Sequence, residues 1–428
     1  MDRPGDENHR LQLIIPWFIR DFDLWGLREY PRWKCSFPLI GRYPMWQQEL
    51  IWFFAIFHHE FRKNNPIAFE VLMVWAIAHV FGFYNPKQLA DFLDLPHQKF
   101  YAELKDWSVY HVKKMLLRFM VKQAAEKLRP AMNKSASTWS RAGLSLSIDN
   151  SVMDRFGKLI RCAYSWYSGR YHKVIRGQDL LGIVLTIHHL ALPLHLLFCP
   201  KQGRYHTKKA DLLIFMLTQL KAEFHREGID ITQLPLTLDS GYVSQELRVR
   251  LHRWGFSHII IAGKGNYVFT IDHQKWDAAT WKKVLMLEEP KWGIDVPSCR
   301  IQGHSPTFGS LILFFFRQST TRSYYLMNFS QLSMRGAEIW HIWKQHHVIE
   351  CFWKIMKSIF HMRSMQLQDD GLYTALLMKV FAYLLALRLQ AQGGFSKLTM
   401  TKIMRKLRRE EDLREFLATH FHDPFSIT

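Results

Sequence analysis

Paired cysteines are missing from this chain. Its five cysteines, Cys35, Cys162, Cys199, Cys299 and Cys351, stand far apart, with no C-x-x-C pair. That spacing excludes a disulfide framework or a structural zinc module and fits a reducing cytoplasm. Acid is scarce as well: 37 Asp+Glu against 57 Lys+Arg leave a formal charge of +20. Such an excess favours a polyanionic partner, nucleic acid first, through attraction and counterion release. Uninterrupted apolar runs are also lacking. The most membrane-like stretch, residues 67 to 84, is broken by Glu70 and His79, both costly in hydrocarbon. A buried helix is expected there, and no membrane span. The N-terminus, M-D-R-P-G-D-E-N-H-R, is polar and unlike a signal peptide. Neither an internal repeat nor a low-complexity tract occurs.

What is present reads as folded protein. Hydrophobic residues make up 48% and charged residues 22% of 428, enough for two or three units. Residues 1–140 read as helical and rich in Trp, Phe, Ile and Leu. Within them, N-P-K-Q-L-A-D-F-L-D-L-P-H-Q-K-F-Y-A-E-L-K predicts two short helices. Asn85 would cap the first, Pro86 would occupy its first position, and Leu95-Pro96 would break the pattern. The pair is a candidate helix-turn-helix or a plain helical hairpin. The polar run N-K-S-A-S-T-W-S-R-A-G marks a boundary near residue 140.

The texture then becomes α/β. L-S-L-S-I-D-N, K-L-I-R-C-A-Y-S-W-Y and L-L-G-I-V-L-T-I-H-H predict three strands, and A-L-P-L-H-L-L-F continues the third or pairs with it. Residues 207–224 have helical periodicity. L-P-L-T-L-D, a helix through Val243 to Trp254, and the β-branched run H-I-I-I-A-G follow. The order is three strands, helix, strand, helix, strand. Residues from about 264 to 335 turn irregular, with short strands such as S-L-I-L-F-F-F-R and S-Y-Y-L-M-N-F. A helix then runs through W-K-Q-H-H-V-I-E-C-F-W-K-I-M-K-S-I-F, and residues 366–428 are helical with a basic tail.

Asp149 and Asp239 each close an apolar strand in this reading, in I-D-N-S and L-D-S-G. Acids at strand ends in an α/β sheet stand at the rim where ligands bind, although Asp also favours turns for its own sake. A third acid, Glu350, lies on the late helix. At about 3.6 residues per turn, Trp343, His346, Glu350, Lys354 and Lys357 share one stripe. The ordinary reading of that stripe is an exposed Glu350–Lys354 ion pair. The apolar setting of Phe352, Trp353, Ile355 and Met356 argues for a site instead. Three converging carboxylates would suit Mg²⁺, and two such ions serve phosphoryl transfer. The lysines would hold phosphates.

Asp149, Asp239 and Glu350 in this order resemble the DDE triad of bacterial insertion-sequence transposases. The long interval between Asp239 and Glu350 is similar to that of the insertion-sequence-four group, whose core is interrupted by a β-rich insertion. That group's signature is Tyr-x2-Arg-x3-Glu-x6-Lys. Here Glu350 and Lys357 match, while Trp343 replaces the Tyr and His346 the Arg. The resemblance spans roughly residues 140 to 365. It implies a ribonuclease-H-like α/β core at 141–365, a mixed sheet with helices on both faces and a β-rich insertion at about 264–335. All-α regions would flank it, one at 1–140 that binds DNA ends and one at 366–428 for dimerisation or DNA contact.

The implied function is cut-and-paste DNA transposition in a bacterial cytoplasm, at the nucleoid. Asp149, Asp239 and Glu350 would bind two Mg²⁺ ions, with Mn²⁺ able to substitute. Trp343, His346, Lys354 and Lys357 would contact double-stranded DNA. The partners are terminal inverted repeats, target DNA and a second copy in a homodimeric paired-end complex. In relatives a Trp of the insertion stacks on a flipped base, and Trp276, Trp281 and Trp292 are candidates. Asp154 rivals Asp149, and His188, His189 and His206 form a weak zinc alternative with no third ligand spacing. A glycosidase pair of carboxylates fits poorly beside lysines, and a transposase-derived DNA-binding protein without chemistry is the non-enzymatic alternative.

Overall fold

Ten residues of alternating character, Ser145–Asp154, form strand β1 at the centre of a mixed sheet. The structure is a computed structural model. It describes residues 75–93, 96–102, 108–132, 143–201, 208–287, 298–317, 323–330, 334–390 and 399–410, apart from isolated positions within them. Strand β1 has two different neighbours. Strand β3 (Lys173–Ile187) pairs with it antiparallel along its whole length, from Ser145↔Thr186 to Asp154↔Gly177. Strand β5 (Leu236–Leu238) pairs with it parallel over only Leu146 to Ile148.

The free edge of β3 is shared by β2 (Tyr164–Ser168) and β4 (Leu190–Phe198). β4 therefore returns on β3 as a hairpin. Pro193 sits where the register slips between Ile183 and Val184, so the missing donor falls at a bulge.

Beyond β5 the order continues through β6 (Ile259–Ala262), β11 (Ser323–Asn328), β10 (Gly309–Arg317), β9 (Ser298–Ser305), β7 (Val268–Ile271) and β8 (Gln274–Asp277). The stretch that reads as irregular in the sequence thus extends the main sheet, because β11 pairs antiparallel with β6. Its composition hides this: the strands are short, and only β10 carries a long apolar run, Leu311 to Phe316.

Helix α1 is Pro86–Leu93, and the Asn85 side chain accepts from the Lys87 amide at 2.8 Å, the expected cap. Of the second short helix, residues 103–107 lie outside the described residues, as do residues 67–74 and 77 of the stretch 67–84. Helices α2 (Val109–Met132), α3 (Lys209–Arg226), α4 (Gln245–Arg253) and α5 (Ala278–Leu287) follow. The long helix α6 is Gly336–Ser358, with α7 (Gly371–Gln390) and α8 (Met400–Glu410) after it. Helices lie on both faces of the sheet: α6 packs on β1, β3 and β5, and α3 packs on the opposite side. Among the described residues α7 alone is long and apolar enough to cross a membrane, and 89% of that window is buried within the protein.

Helix α6 rests on two cores. Ile339 and Ile342 join Ile260, Phe314, Phe316 and Leu326 of the outer strands, while Val348, Ile349, Phe352, Trp353 and Met356 join the main core. Its seat is cut by Gly182: a Cβ there would meet the Trp353 ring at 2.6 Å. Gly182 is the register partner of Asp149, so the absence of a side chain lets the helix approach β1 closely at that acid.

Candidate active site

The strand-end reading of Asp149 is corrected by the structure: β1 runs on to Asp154, held by β3. What ends at Ile148 is the parallel pairing with β5, at Ile148↔Leu238. Asp149 and Asp239 are the next residues on the two strands, where β5 leaves the sheet for a 3-10 turn, Ser240–Tyr242. Adjacent strands lie about 4.8 Å apart, so register alone makes these acids neighbours. Each accepts a hydrogen bond from the amide that follows it, Asn150 N at 2.7 Å and Ser240 N at 2.6 Å.

Glu350 arrives from α6. Burial, helped by the charges of Asp239 and Glu350, raises the Asp149 carboxyl to about 7 against the opposing Asn150 amide and Lys357. Asp149 therefore feels both of the other acids. Asp154, five residues on, faces the other side of the strand by alternation, which favours Asp149 over its rival.

The cleft along α6 has a volume of about 550 Å³ and is lined by Asp149, Ser151, Glu350, Trp353, Lys354, Lys357, Ser358 and Arg363. Among the described residues the ion pairs within 4 Å do not include Glu350 with Lys354. The simple surface pair is thus not formed, and both groups face the cleft. Lys357 donates to the Val152 carbonyl at 3.4 Å, reaching across to β1 beside Asp149.

The upper half of the stripe behaves differently. His346 is 6% exposed, its Nδ1 lies 2.9 Å from Thr237 Oγ1, and Trp343 stacks on it at 4.7 Å. Burial lowers its pKa to about 4, against the pull of Asp239. A neutral, covered imidazole is no phosphate-binding cation at pH 7; it ties α6 to β5 instead. Trp343 is half-buried against the outer core.

The stacking candidates divide as well. Trp281 is buried, and its indole donates to the Phe269 carbonyl at 3.0 Å, so it is a core residue. Trp276 packs on it at 4.6 Å. Trp292, His188, His189 and His206 lie outside the described residues.

Three carboxylates and no softer donor suit a hard divalent cation, and their mutual repulsion is what such an ion relieves. Among the described residues, however, no three His, Cys, Asp or Glu side chains are close enough to grip an ion as they stand. The acids are neighbours in charge without forming a closed cage.

Reading the sequence missed Arg363 and Asp179. Arg363 lies beyond the helix that carries the stripe, with no motif of its own. Asp179 is wholly buried behind Asp149, and only its strand alternation could have drawn notice.

No family model and no curated protein matches the chain. Among solved structures it is similar to a piggyBac transposase in a synaptic complex with hairpin DNA. Identity is 11% and the TM-score 0.40, over 90% of this chain and 74% of that one. At that score the likeness carries no argument, and the site's own geometry has to bear the functional reading.

Proposed function

We propose that the chain is a DDE-type transposase of the insertion-sequence-four group with a ribonuclease-H-like core. It cuts double-stranded DNA at the terminal inverted repeats of its own element and joins the freed 3′-hydroxyls to target DNA. The observation that carries this reading is register: the parallel pair ending at Ile148↔Leu238 sets Asp149 beside Asp239, and Glu350 acts on the same carboxyl.

Asp149, Asp239 and Glu350 would hold Mg²⁺ or Mn²⁺, which when bound supplies Lewis-acid activation of the attacking oxygen and neutralises the leaving one. The chain's residues do the rest. Lys354 and Lys357 hold phosphates of the strand as point charges. Lys357 also offsets the crowding of acid at Asp149. The Trp353 ring, seated over Gly182, forms an apolar wall of the cleft that limits water. The guanidinium of the family signature has no counterpart in buried, neutral His346, so this chain handles its ends without that phosphate contact. Residues 1–140 recognise the ends, residues 366–428 help pair two copies, and the work is done in the cytoplasm.

Purified protein, Mg²⁺ and the DNA flanking its own gene, assayed for strand cleavage and strand transfer, test this. Glu350→Gln should abolish both reactions and keep DNA binding. Binding lost in parallel with cleavage makes Glu350 structural and overturns the reading. The open spacing of the acids favours one second reading, a transposase-derived DNA-binding protein without chemistry. Wild-type protein that binds the inverted repeats and cuts nothing would establish it.

A further inference from the structure

The chain reversal after α6 is fastened in an unusual way. Arg155, 1% exposed at the end of β1, donates to the Met362 carbonyl at 3.0 Å and to the Arg363 carbonyl. Its Nε donates to Gln178 Oε1 at 2.7 Å, and Gln178 in turn donates to the Arg161 carbonyl at 2.5 Å. Lys379 of α7, also 1% exposed, donates to the Phe360 carbonyl at 2.8 Å and lies 3.2 Å from His79 Nε2. Three carbonyls within four residues are thus held by two buried basic side chains, and burial lowers the Lys379 ammonium to about 7.

What this clamp presents is the exposed side chain of Arg363, which borders the same cleft as Lys354, Lys357 and the acids. Among the described residues no carboxylate forms an ion pair with Arg363. Among the described residues it is the backbone of Arg363 that is gripped, so the guanidinium stands on a fixed base at the cleft.

The cations follow a line. At 1.5 Å per residue, Lys354 lies about 6 Å and Lys357 about 10 Å along the helix from Glu350, with Arg363 on the turn beyond. A DNA strand advances about 3.4 Å per nucleotide, so the row spans several successive nucleotides.

We propose that Arg363 binds a phosphodiester of the strand that leaves the acids along α6, as the third cation after Lys354 and Lys357. Arg155 is its positioning residue. This rests on the transposase reading for which phosphate lies at the acids, but the contact itself is separable from cleavage. Arg suits the place because its planar fork meets phosphate oxygens bidentately.

The test is binding of a random-sequence DNA duplex, by fluorescence anisotropy in chelator, over a range of salt. Each phosphate contact contributes about 0.9 to the slope of log K against log salt. Arg363→Gln should lower the slope by about one and weaken binding several-fold at low salt, with the melting temperature unchanged because the carbonyl grip is kept. Arg363→Lys should restore the slope and only part of the affinity. Lys354→Gln with Lys357→Gln should lower the slope by about two. An Arg363→Gln protein with wild-type slope and affinity overturns the proposal, whatever the lysine variant does. A wild-type protein that shows the Arg363-dependent slope yet cuts nothing with Mg²⁺ leaves this contact standing and sinks the transposase reading alone.

Discussion

Two neighbours on one strand, Asp149 and Asn150, open onto two kinds of polar environment. On the side of Asn150 the sheet buries Asp179 completely. Asn150 Nδ2 donates to its Oδ1 at 2.7 Å, and Lys209 Nζ lies 2.6 Å from its Oδ2, an ion pair outside hydrogen-bond alignment. Tyr242 donates to Asn150 Oδ1 at 3.1 Å, and Trp166 lies under the ammonium groups of Lys201 and Lys209 at 4.3 and 5.2 Å. Each charge has its counterpart. On the α6 side, Asp149 has two carboxylates near it and an apolar ring above, and burial raises it to about 7. Buried polarity that is matched stabilises a fold. Polarity left mismatched beside an open cleft marks where a ligand completes the balance. The proposed site follows from that difference.

The largest effect should come from breaking the matched side. Asp179→Ala leaves Lys209 and Asn150 facing one another without their acceptor, and should cost about 3 kcal/mol, the lower end for a broken buried pair because Lys209 reaches solvent. Urea unfolding at pH 7 measures it; a loss below about 1 kcal/mol would erase the contrast between the faces.

The mismatched side should respond with the opposite sign. An acid raised in the folded state above its free value of about 3.9 contributes stability below that pH and loses it as pH climbs through 7. Asp149→Asn removes the ionisation and should therefore stabilise the chelated protein at pH 8, by an amount on the order of 2 kcal/mol. At pH 4 the gain should vanish. Added Mg²⁺ should raise the wild-type melting temperature at pH 8 and leave that of Asp149→Asn nearly unmoved. Equal gains at both pH values would show that Asp149 is not crowded.

The third effect concerns the other half of α6. His346→Ala should cost about 1–2 kcal/mol through lost packing and the loss of one of the two hydrogen bonds of the Thr237 hydroxyl, the one to Ser147 Oγ being kept. It should not change the salt slope of DNA binding, since the imidazole carries no charge at pH 7. A lower slope would return His346 to the phosphate contacts.

How much of this was legible beforehand differs residue by residue. Asp239 and Glu350 could be placed from local pattern, because a short apolar strand and an uninterrupted helix declare themselves. Asp149 reads as the end of a strand in the sequence, whereas β1 runs on to Asp154. Asn150 and Ser151 read as a turn, yet β3 holds them in a strand through long-range pairing, which overrides local preference. The stripe on α6 was correct as helical geometry, but periodicity cannot tell that the helix tips His346 inward at β5 while Glu350 stays open. Asp179, Arg155 and Arg363 draw their meaning from contacts between distant segments, so no window of sequence carries them. The joining of β11 to β6 was hidden for the same reason.

The smallest effect is the one that tests whether the matched side also serves the acids. Tyr242 ends the 3-10 turn that begins just after Asp239, and its hydroxyl is what ties that turn to the strand bearing Asp149. Burial and the surrounding acids push the phenol well above its usual range, so it stays protonated and donates at any working pH. Tyr242→Phe should cost about 1 kcal/mol, the usual value of one buried hydrogen bond, with no change in that cost between pH 6 and 9. Cleavage should fall more than stability does, because Asp239 loses its brace while every carboxylate is kept; raising Mg²⁺ should recover part of the rate. A pH-dependent cost would mean that the two faces titrate together. A cost near that of Asp179→Ala would mean that the cluster moves as one body, and the brace between the two acids would then be a property of the fold and not of Tyr242.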